Sequence, residues 1–234
     1  MIAVKFIAVI LTGYLLGSIP SGLIVSRWLS KVDIRTFGSG KIGTTNVLRT
    51  AGKKAAVLVL LMDMLKGALA VLAAGLIVGR NYLVIGDEFA LGLLVAQSLA
   101  ALAAIAGHNW SVFLKFKGGG RGVATFFGGL VALCPVAALF GGEVFIIGAG
   151  LSRFASLGSI AGAVGTYVIL VPLTIINGFP LEYLVFALIG TIVIIIMHKD
   201  NIMRLITGKE RKIGDKADAA ETADNTVKQT TSGG

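Results

Sequence analysis

The chain has 234 residues, 56% of them hydrophobic and only 14% charged, where a soluble domain carries about 25% charged residues. With a mean hydropathy of +0.89 and polar stretches too short for a core of their own, a soluble enzyme, a disulfide scaffold and a disordered chain are excluded; the single cysteine, Cys134, makes no internal disulfide. The formal net charge of +9 reads first as membrane orientation and only second as attraction for anionic ligands.

The apolar stretches are continuous rather than alternating, which predicts an all-α polytopic membrane protein and argues against a barrel. In chain order the predicted spans cover about 2–28, 55–79 and 83–106. Residues 123–152 are apolar but interrupted at Pro135 and at Gly141-Gly142. Two further spans cover about 160–176 and 181–197. A tail at 215–234, rich in Ala, Thr, Asp and Gly without periodicity, is expected to be a disordered cytoplasmic appendix to a membrane domain of residues 1–214.

Basic residues concentrate in three segments. Arg27, Lys31, Arg35, Lys41, Arg49, Lys53 and Lys54 fall in the first, Lys115, Lys117 and Arg121 in the second, and Lys199, Arg204, Lys209, Arg211, Lys212 and Lys216 in the third. The loops between them carry little positive charge, so the three segments are placed in the cytoplasm. Arg121 and the tail then share a side, which requires residues 123–152 to go out and back. The expectation is seven transmembrane helices, two of them short and turning near Pro135–Gly142, with the N-terminus outside and the C-terminus inside.

The basic segments differ from ordinary topology loops. Residues 38–49 read Gly-Ser-Gly-Lys-Ile-Gly-Thr-Thr-Asn-Val-Leu-Arg. Their glycines let backbone N–H groups converge as in an anion nest, and Arg49 adds a planar fork suited to phosphate. A nucleotide P-loop needs Lys directly after the second glycine of its motif; Thr44 stands there and no strand precedes it. Residues 117–122, Lys-Gly-Gly-Gly-Arg-Gly, run straight into an apolar helix, so backbone donors and cations meet at a helix N-terminus. The bland reading of both is a flexible turn whose charges serve topology alone. His108 just upstream reads as a structural histidine, and Trp110 and Phe113 as interfacial anchors.

Ser156 and Ser159 share one helix face, as do His198 and Asn201 at the inner end of the last span. No Gly-x-Ser-x-Gly elbow occurs and no carboxylate is placed to orient a histidine, so a hydrolase triad is not indicated. Asp63 and Lys66, three apart inside the second span, can pair with each other, and a functional and a structural role stand about even. Glu143 is expected near an outer turn. Gly17-Ser-Ile-Pro-Ser-Gly22 breaks the first span, as is tolerated where the backbone is buried or lines a cavity.

Five segments in order resemble the bacterial acyl-phosphate:glycerol-3-phosphate acyltransferases. They are Gly17–Gly22; Asp33-Ile-Arg35 with the run Gly38–Arg49; Gly107-His108 with Phe116–Thr125; Ser152–Ser159; and His198–Gly208. The family's Gly-Ser-Gly-Asn-x-Gly-Ala-Thr-Asn carries Lys41 and Thr44 here, and its Gly-Gly-Lys-Gly reads Gly-Gly-Gly-Arg-Gly, with Arg121 for lysine. The resemblance implies an enzyme of the bacterial inner membrane with its site toward the cytoplasm. It would move a fatty acyl group from acyl phosphate to the 1-hydroxyl of glycerol 3-phosphate, giving lysophosphatidic acid and phosphate. By motif position, Ser39, Thr45, Asn46, Arg49 and Arg121 would bind phosphate groups. Ser159, His198 and Asn201 would position the glycerol and the reacting carbonyl. His108 and Lys117 match motif positions without an assigned role. Membrane lipids are the expected surroundings; no cofactor, metal or nucleic-acid partner is expected. The alternative reading is a small transporter or flippase for a phosphorylated metabolite or lipid, using the same anion loops without acyl transfer.

Overall fold

The structure, a computed structural model, describes residues 2–79 and 87–215. The loop expected between the second and third spans, and the tail beyond Asp215, lie outside the described residues. The described elements are helical: α1 (Ile2–Ser18), α2 (Ser21–Ser30), α3 (Thr44–Val78), α4 (Asp87–Asn109), α5 (Val123–Leu133), α6 (Pro135–Ser152), α7 (Ala155–Ile175), α8 (Leu181–Met197) and α9 (Lys199–Ile206), with single 3₁₀ turns at Ile34–Thr36 and Val112–Leu114. Five candidate spans are long and apolar enough to cross a membrane, with α1 and α2 counted as one; α8 and α9, bent by 60°, make a sixth if taken together. Large apolar side chains such as Leu11, Leu61, Leu72, Leu139, Val168 and Ile196 are exposed on the outside, as a lipid-facing surface requires.

The helices approach through small residues. A Cβ on Gly17 of α1 would strike the carbonyl of Ala104 in α4, and one on Gly107 of α4 would strike that of Tyr14. Gly67 of α3 and Gly128 of α5 make the same close approach, to Thr125 and Met64 respectively. In lipid no hydrophobic force joins helices, so backbone contact and dispersion over small residues must do so.

Residues 123–152 form two helices that fold back on each other, with Phe127 and Phe145 at a 6.5 Å ring separation. Only one is short, which corrects the expectation for this region. α5 has 11 residues, about 16 Å of rise, and six of them are buried, so it needs no lipid-facing length. Its Phe126 stacks on Phe186 of α8 at 5.4 Å in the main core. α6 has 18 residues, about 27 Å, close to the hydrocarbon thickness. The turn is sharp and falls at Cys134, because Pro135 takes the first position of α6, where its missing N–H costs nothing. Gly141-Gly142 does not break the chain; Gly141 admits α7, whose Thr166 Oγ1 would collide with any Cβ there. Glu143 therefore sits within α6 and not beside a turn.

The first span is broken between Ser18 and Ser21, where Pro20 has no N–H to give. The freed groups find partners: the Ile19 carbonyl accepts from the Ser21 N–H at 3.0 Å and from Lys66 Nζ at 3.2 Å, and the Ser18 carbonyl from the Ser111 hydroxyl. Helix α3 begins well before the predicted second span and is itself interrupted at Gly52 (φ 85°), so that Thr44–Ala51 forms a separate two-turn helix at the polar end.

Because the α1–α4 seam has no room for a side chain at Gly107, Gly107→Leu should destabilise the protein by about 2–3 kcal/mol through overpacking. Gly150, whose Cβ would meet nothing within 4 Å, should accept leucine with little change. Thermal unfolding of the two purified variants in detergent checks the difference.

Candidate active site

Three irregular segments and α9 converge at one end of the bundle. In the first, Gly38 (φ 56°) and Gly40 (φ 64°) take left-handed conformations that return the chain toward α3. Asn46, expected as a phosphate ligand, braces the loop in this structure. Its Nδ2 donates to the carbonyls of Ile34, Phe37 and Lys41, and its Oδ1 accepts the Ser39 N–H at 3.3 Å; it is 4% exposed. Ser39 and Thr45 are half-buried. Gly43 caps α3 without a side-chain hydrogen bond, so the first N–H groups of that helix lack a capping side chain.

The glycine run lies against this loop, with the Ile42 N–H donating to the Gly118 carbonyl at 3.3 Å. It also lies flush on the end of α4. Gly120 N–H donates to the His108 carbonyl at 3.1 Å, and a Cβ on Gly119 or Gly120 would collide with the Asn109 carbonyl or the His108 ring. The run delivers Arg121 to the site. Arg121 is half-buried, and among the described residues its guanidinium has no hydrogen bond or ion pair. Burial, then the nearby charge of Arg204, bring its pKa down to about 10, so it stays protonated at neutral pH.

The third segment, residues 207–215, folds back over α9 and is pinned by the Ile213 N–H to the Arg153 carbonyl at 2.7 Å. It inserts Glu210, whose side chain is 4% exposed. Glu210 Oε1 accepts from Ser156 Oγ at 2.9 Å and from Asn201 Nδ2 at 2.7 Å, while Oε2 accepts from Arg204 Nε at 2.8 Å. Arg49 donates to the carbonyls of Arg211 and Lys212 at 3.0 and 3.1 Å. Sequence reasoning missed Glu210, a lone acid between Lys209 and Arg211; its signal was the shared face of Asn201 and Arg204 on α9.

His198, just beyond the last residue of α8, is 2% exposed. Its Nδ1 lies 2.8 Å from the Ile194 carbonyl. A carbonyl can only accept, so Nδ1 carries the proton and Nε2 keeps its lone pair. Burial first, and the Arg121 charge second, push its pKa down to about 4. Ser159 is buried in α7, and its hydroxyl donates to the Ala155 carbonyl at 2.7 Å. The structure thus brings together Arg49, Arg121, His198 and Asn201, with Ser156, Arg204 and Glu210. It does not bring Lys117 among them. Lys117 is exposed and lines an open depression of about 470 Å³ with Asp33, Arg35, Thr36, Gly40 and Lys115; there Asp33 is ion-paired to Arg27 and Arg35, and hydrogen bonds from Arg35 hold its carboxyl well below the usual range.

A helical membrane bundle with half-buried arginines at one end and a neutral histidine beside them is the build of an integral-membrane protein that takes anionic, phosphate-bearing ligands. Comparison with known proteins narrows the class. Residues 7–208 match the family model described as glycerol-3-phosphate acyltransferase, and the chain belongs to that family. It is 62% identical over 217 residues to glycerol-3-phosphate acyltransferase 3 of Dehalococcoides mccartyi strain CBDB1, covering 93% of this chain and all of the relative. It is 43% identical over 210 residues to the glycerol-3-phosphate acyltransferase of Synechococcus elongatus, covering 90% and 95%. Among solved structures, the glycerol 3-phosphate form of PlsY (YgiH), an integral membrane glycerol 3-phosphate acyltransferase, superposes with a TM-score of 0.75 at 35% identity, covering 89% of this chain and 96% of that one.

The neutral state of His198 has a consequence for stability. Folded, it takes up a proton only near pH 4, whereas in an unfolded chain it does so near about 6.5. Between these values the unfolded state binds more protons, so stability is lost as pH falls through that window, by up to about 3 kcal/mol. Acidification from about pH 7.5 to 5 should therefore lower the melting temperature of the wild type more than that of His198→Asn, measured in the same detergent.

Proposed function

We propose that this chain moves a fatty acyl group from acyl phosphate to the 1-hydroxyl of glycerol 3-phosphate, releasing phosphate and lysophosphatidic acid, the first acylation of phospholipid synthesis. The observation that carries the proposal is Arg121, a half-buried guanidinium with no acceptor among the described residues, beside a histidine that presents a free ring nitrogen. Arg121 and Arg49 hold the phosphate groups, helped by Ser39, Thr45 and the N-terminal amides of α3. His198 Nε2 accepts a hydrogen bond from the substrate hydroxyl, and Ser159 and Asn201 orient the glycerol and the acyl carbonyl. Asn201 Oδ1 is buried without a partner, which leaves it free to accept from a hydroxyl.

The chemistry needs little more. Acyl phosphate is a mixed anhydride. The hydroxyl oxygen attacks the acyl carbon, the bond from that carbon to the phosphate oxygen breaks, and the proton passes to the departing phosphate. No acyl-enzyme forms. Holding the two substrates in line is worth about 7–11 kcal/mol, and the arginines stabilise charge on the anions as it moves.

The basic loops support seven spans in the inner membrane. The site faces the cytoplasm, the N-terminus lies outside and the C-terminus inside, with α5 as the short span. A cysteine introduced after Gly208 should resist an impermeant maleimide in intact cells and react after permeabilisation; labelling in intact cells would reverse the orientation.

Truncating a cation that holds a desolvated phosphate costs about 2–5 kcal/mol. Arg121→Ala and Arg49→Ala should therefore lower kcat/KM by roughly 30-fold to several thousand-fold, with Arg121→Lys milder. Purified protein in detergent, given acyl phosphate and glycerol 3-phosphate and assayed for phosphate release, tests this. Robust turnover with acyl-CoA alone would remove the donor assignment. Binding of both substrates without phosphate release would favour transport.

A further inference from the structure

Beneath the glycine run lies a group of buried ionisable side chains that the acyl-transfer chemistry does not use. Lys66 of α3, Asp63 one turn before it and His108 at the end of α4 are 4%, 1% and 3% exposed. Lys66 Nζ stands 2.9 Å from Asp63 Oδ1, 2.7 Å from His108 Nδ1 and 3.2 Å from the Ile19 carbonyl in the break between α1 and α2. The ammonium is hydrogen-bonded to the Ile19 carbonyl and His108 Nδ1 and ion-paired with Asp63 Oδ1, an oxygen that also lies 3.5 Å from His108 Nδ1 and accepts no hydrogen bond among the described residues.

The arrangement fixes His108. Lysine can only donate, so Nδ1 accepts and the ring proton sits on Nε2. That edge of the ring meets the Cα of Gly120, where no Cβ fits, while the His108 carbonyl takes the Gly120 N–H. Gly120 is thus seated on one residue by both its backbone N–H and its bare Cα, and Arg121 is the next residue along the chain. A charged pair inside a membrane protein is costly, and a fold needing only a filled space here would be as well served by apolar residues of the same volume. What apolar residues could not supply is a donor that holds the imidazole at one angle under a glycine.

We propose that Lys66, held by Asp63, is a positioning group that acts through His108 to set the glycine run 118–122, and with it Arg121, for binding the phosphate of glycerol 3-phosphate. The proposal rests on the acyltransferase reading for the identity of that ligand. Glycerol 3-phosphate is the water-soluble substrate and reaches the site from the aqueous side, where the glycine run lies; the acyl chain of the other substrate belongs with the lipid. Disturbing the run should therefore act on the soluble substrate first.

The test compares conservative and non-conservative replacements. Asp63→Asn/Lys66→Met removes both charges together, leaves no unpaired ion and nearly conserves volume, though the Ile19 carbonyl and His108 Nδ1 lose their donor, so its melting temperature is read beside every binding value. His108→Leu fills the ring's space without an acceptor. His108→Asn keeps an acceptor oxygen close to the place of Nδ1. In purified detergent-solubilised protein, the Kd for glycerol 3-phosphate is measured by calorimetry and both KM values by phosphate release, with melting temperature recorded throughout. The double variant and His108→Leu should raise the Kd and KM for glycerol 3-phosphate at least about tenfold, leaving the KM for acyl phosphate within about threefold. His108→Asn should recover most of the loss. Equal shifts in both KM values, an unchanged Kd in the double variant, or a His108→Asn no better than His108→Leu would overturn the proposal and leave the group a filler of space. Variants that fail to bind only because they melt early would overturn it as well. A wild type that binds glycerol 3-phosphate but turns nothing over would defeat the acyltransferase reading alone, since the Kd ratios still decide the positioning role. A wild type that does not bind it would defeat both.

Discussion

The ammonium of Lys66 is the point on which the polar end of the bundle depends. Three separate demands meet at it. The break in the first span frees a carbonyl that has no water to turn to, and Lys66 supplies the donor. The ammonium itself needs a counter-charge, and Asp63, three residues back on the same helix, supplies that at 2.9 Å. The remaining proton goes to His108, which couples α3 to α4 and to the glycine run above. Remove the lysine and the break, the carboxylate and the imidazole each lose a partner at once. Such a network is stable only when nearly complete, which makes it a rigid base for a site whose own groups must stay unsatisfied until ligand arrives.

The site above it has the opposite character. Arg49, Arg121 and Arg204 crowd one small volume. Glu210 is the buried acid that tempers them, and it is delivered by an irregular segment and not by a helix. Its two oxygens take three donors from α7 and α9, so the carboxylate closes the bundle end while leaving Arg121 unengaged. Among the described residues Arg49 donates to carbonyls of the same segment, weaker acceptors than a phosphate. One cation is thus held for order, one is lightly held, and one is left open. The placement of each follows from its backbone: α9 for Arg204, the two-turn helix before Gly52 for Arg49, and the glycine run for Arg121.

Much of this was legible because the membrane makes sequence patterns blunt. Continuous apolar runs marked the helices, and the glycine-rich basic segments stood out as something other than lipid-facing sequence; the structure brings two of them together. The Asp63–Lys66 pair was readable from spacing alone, being local. Its third partner was not, since His108 lies 42 residues away and meets Lys66 only once α3 and α4 pack. The same limit hid Glu210, 54 residues from Ser156. The bracing bonds of Asn46 were hidden for a different reason: in composition a loop-bracing amide and a ligand-binding amide look alike, and its partners Ile34 and Phe37 come into place only when the loop folds. Of the two interruptions expected in 123–152, Pro135 marks the turn and Gly141-Gly142 does not, because a glycine pair resembles a breaker. In lipid such a pair serves equally as a site of close helix contact, and Thr166 occupies the space.

Acyl transfer from an anhydride asks for order more than for activation, and the distribution of satisfied and unsatisfied groups matches that demand. Where the chain must hold still, at Asn46, Ser111, Lys66 and Glu210, side chains spend their hydrogen bonds on backbone or on one another. Where a substrate would sit, capacity is withheld: the Arg121 guanidinium, the Nε2 lone pair of His198 and the Oδ1 of Asn201 all lack a protein partner among the described residues. A buried polar group without a partner costs about 1–3 kcal/mol. Several together persist only on a scaffold stable enough to bear them, and that scaffold is the close glycine seams of α1 with α4 and of α3 with α5. The bare Cα positions that let helices touch in lipid and the bare Cα positions that seat the glycine run on His108 are one device used twice, first to make the bundle rigid and then to fix the loop from which Arg121 projects.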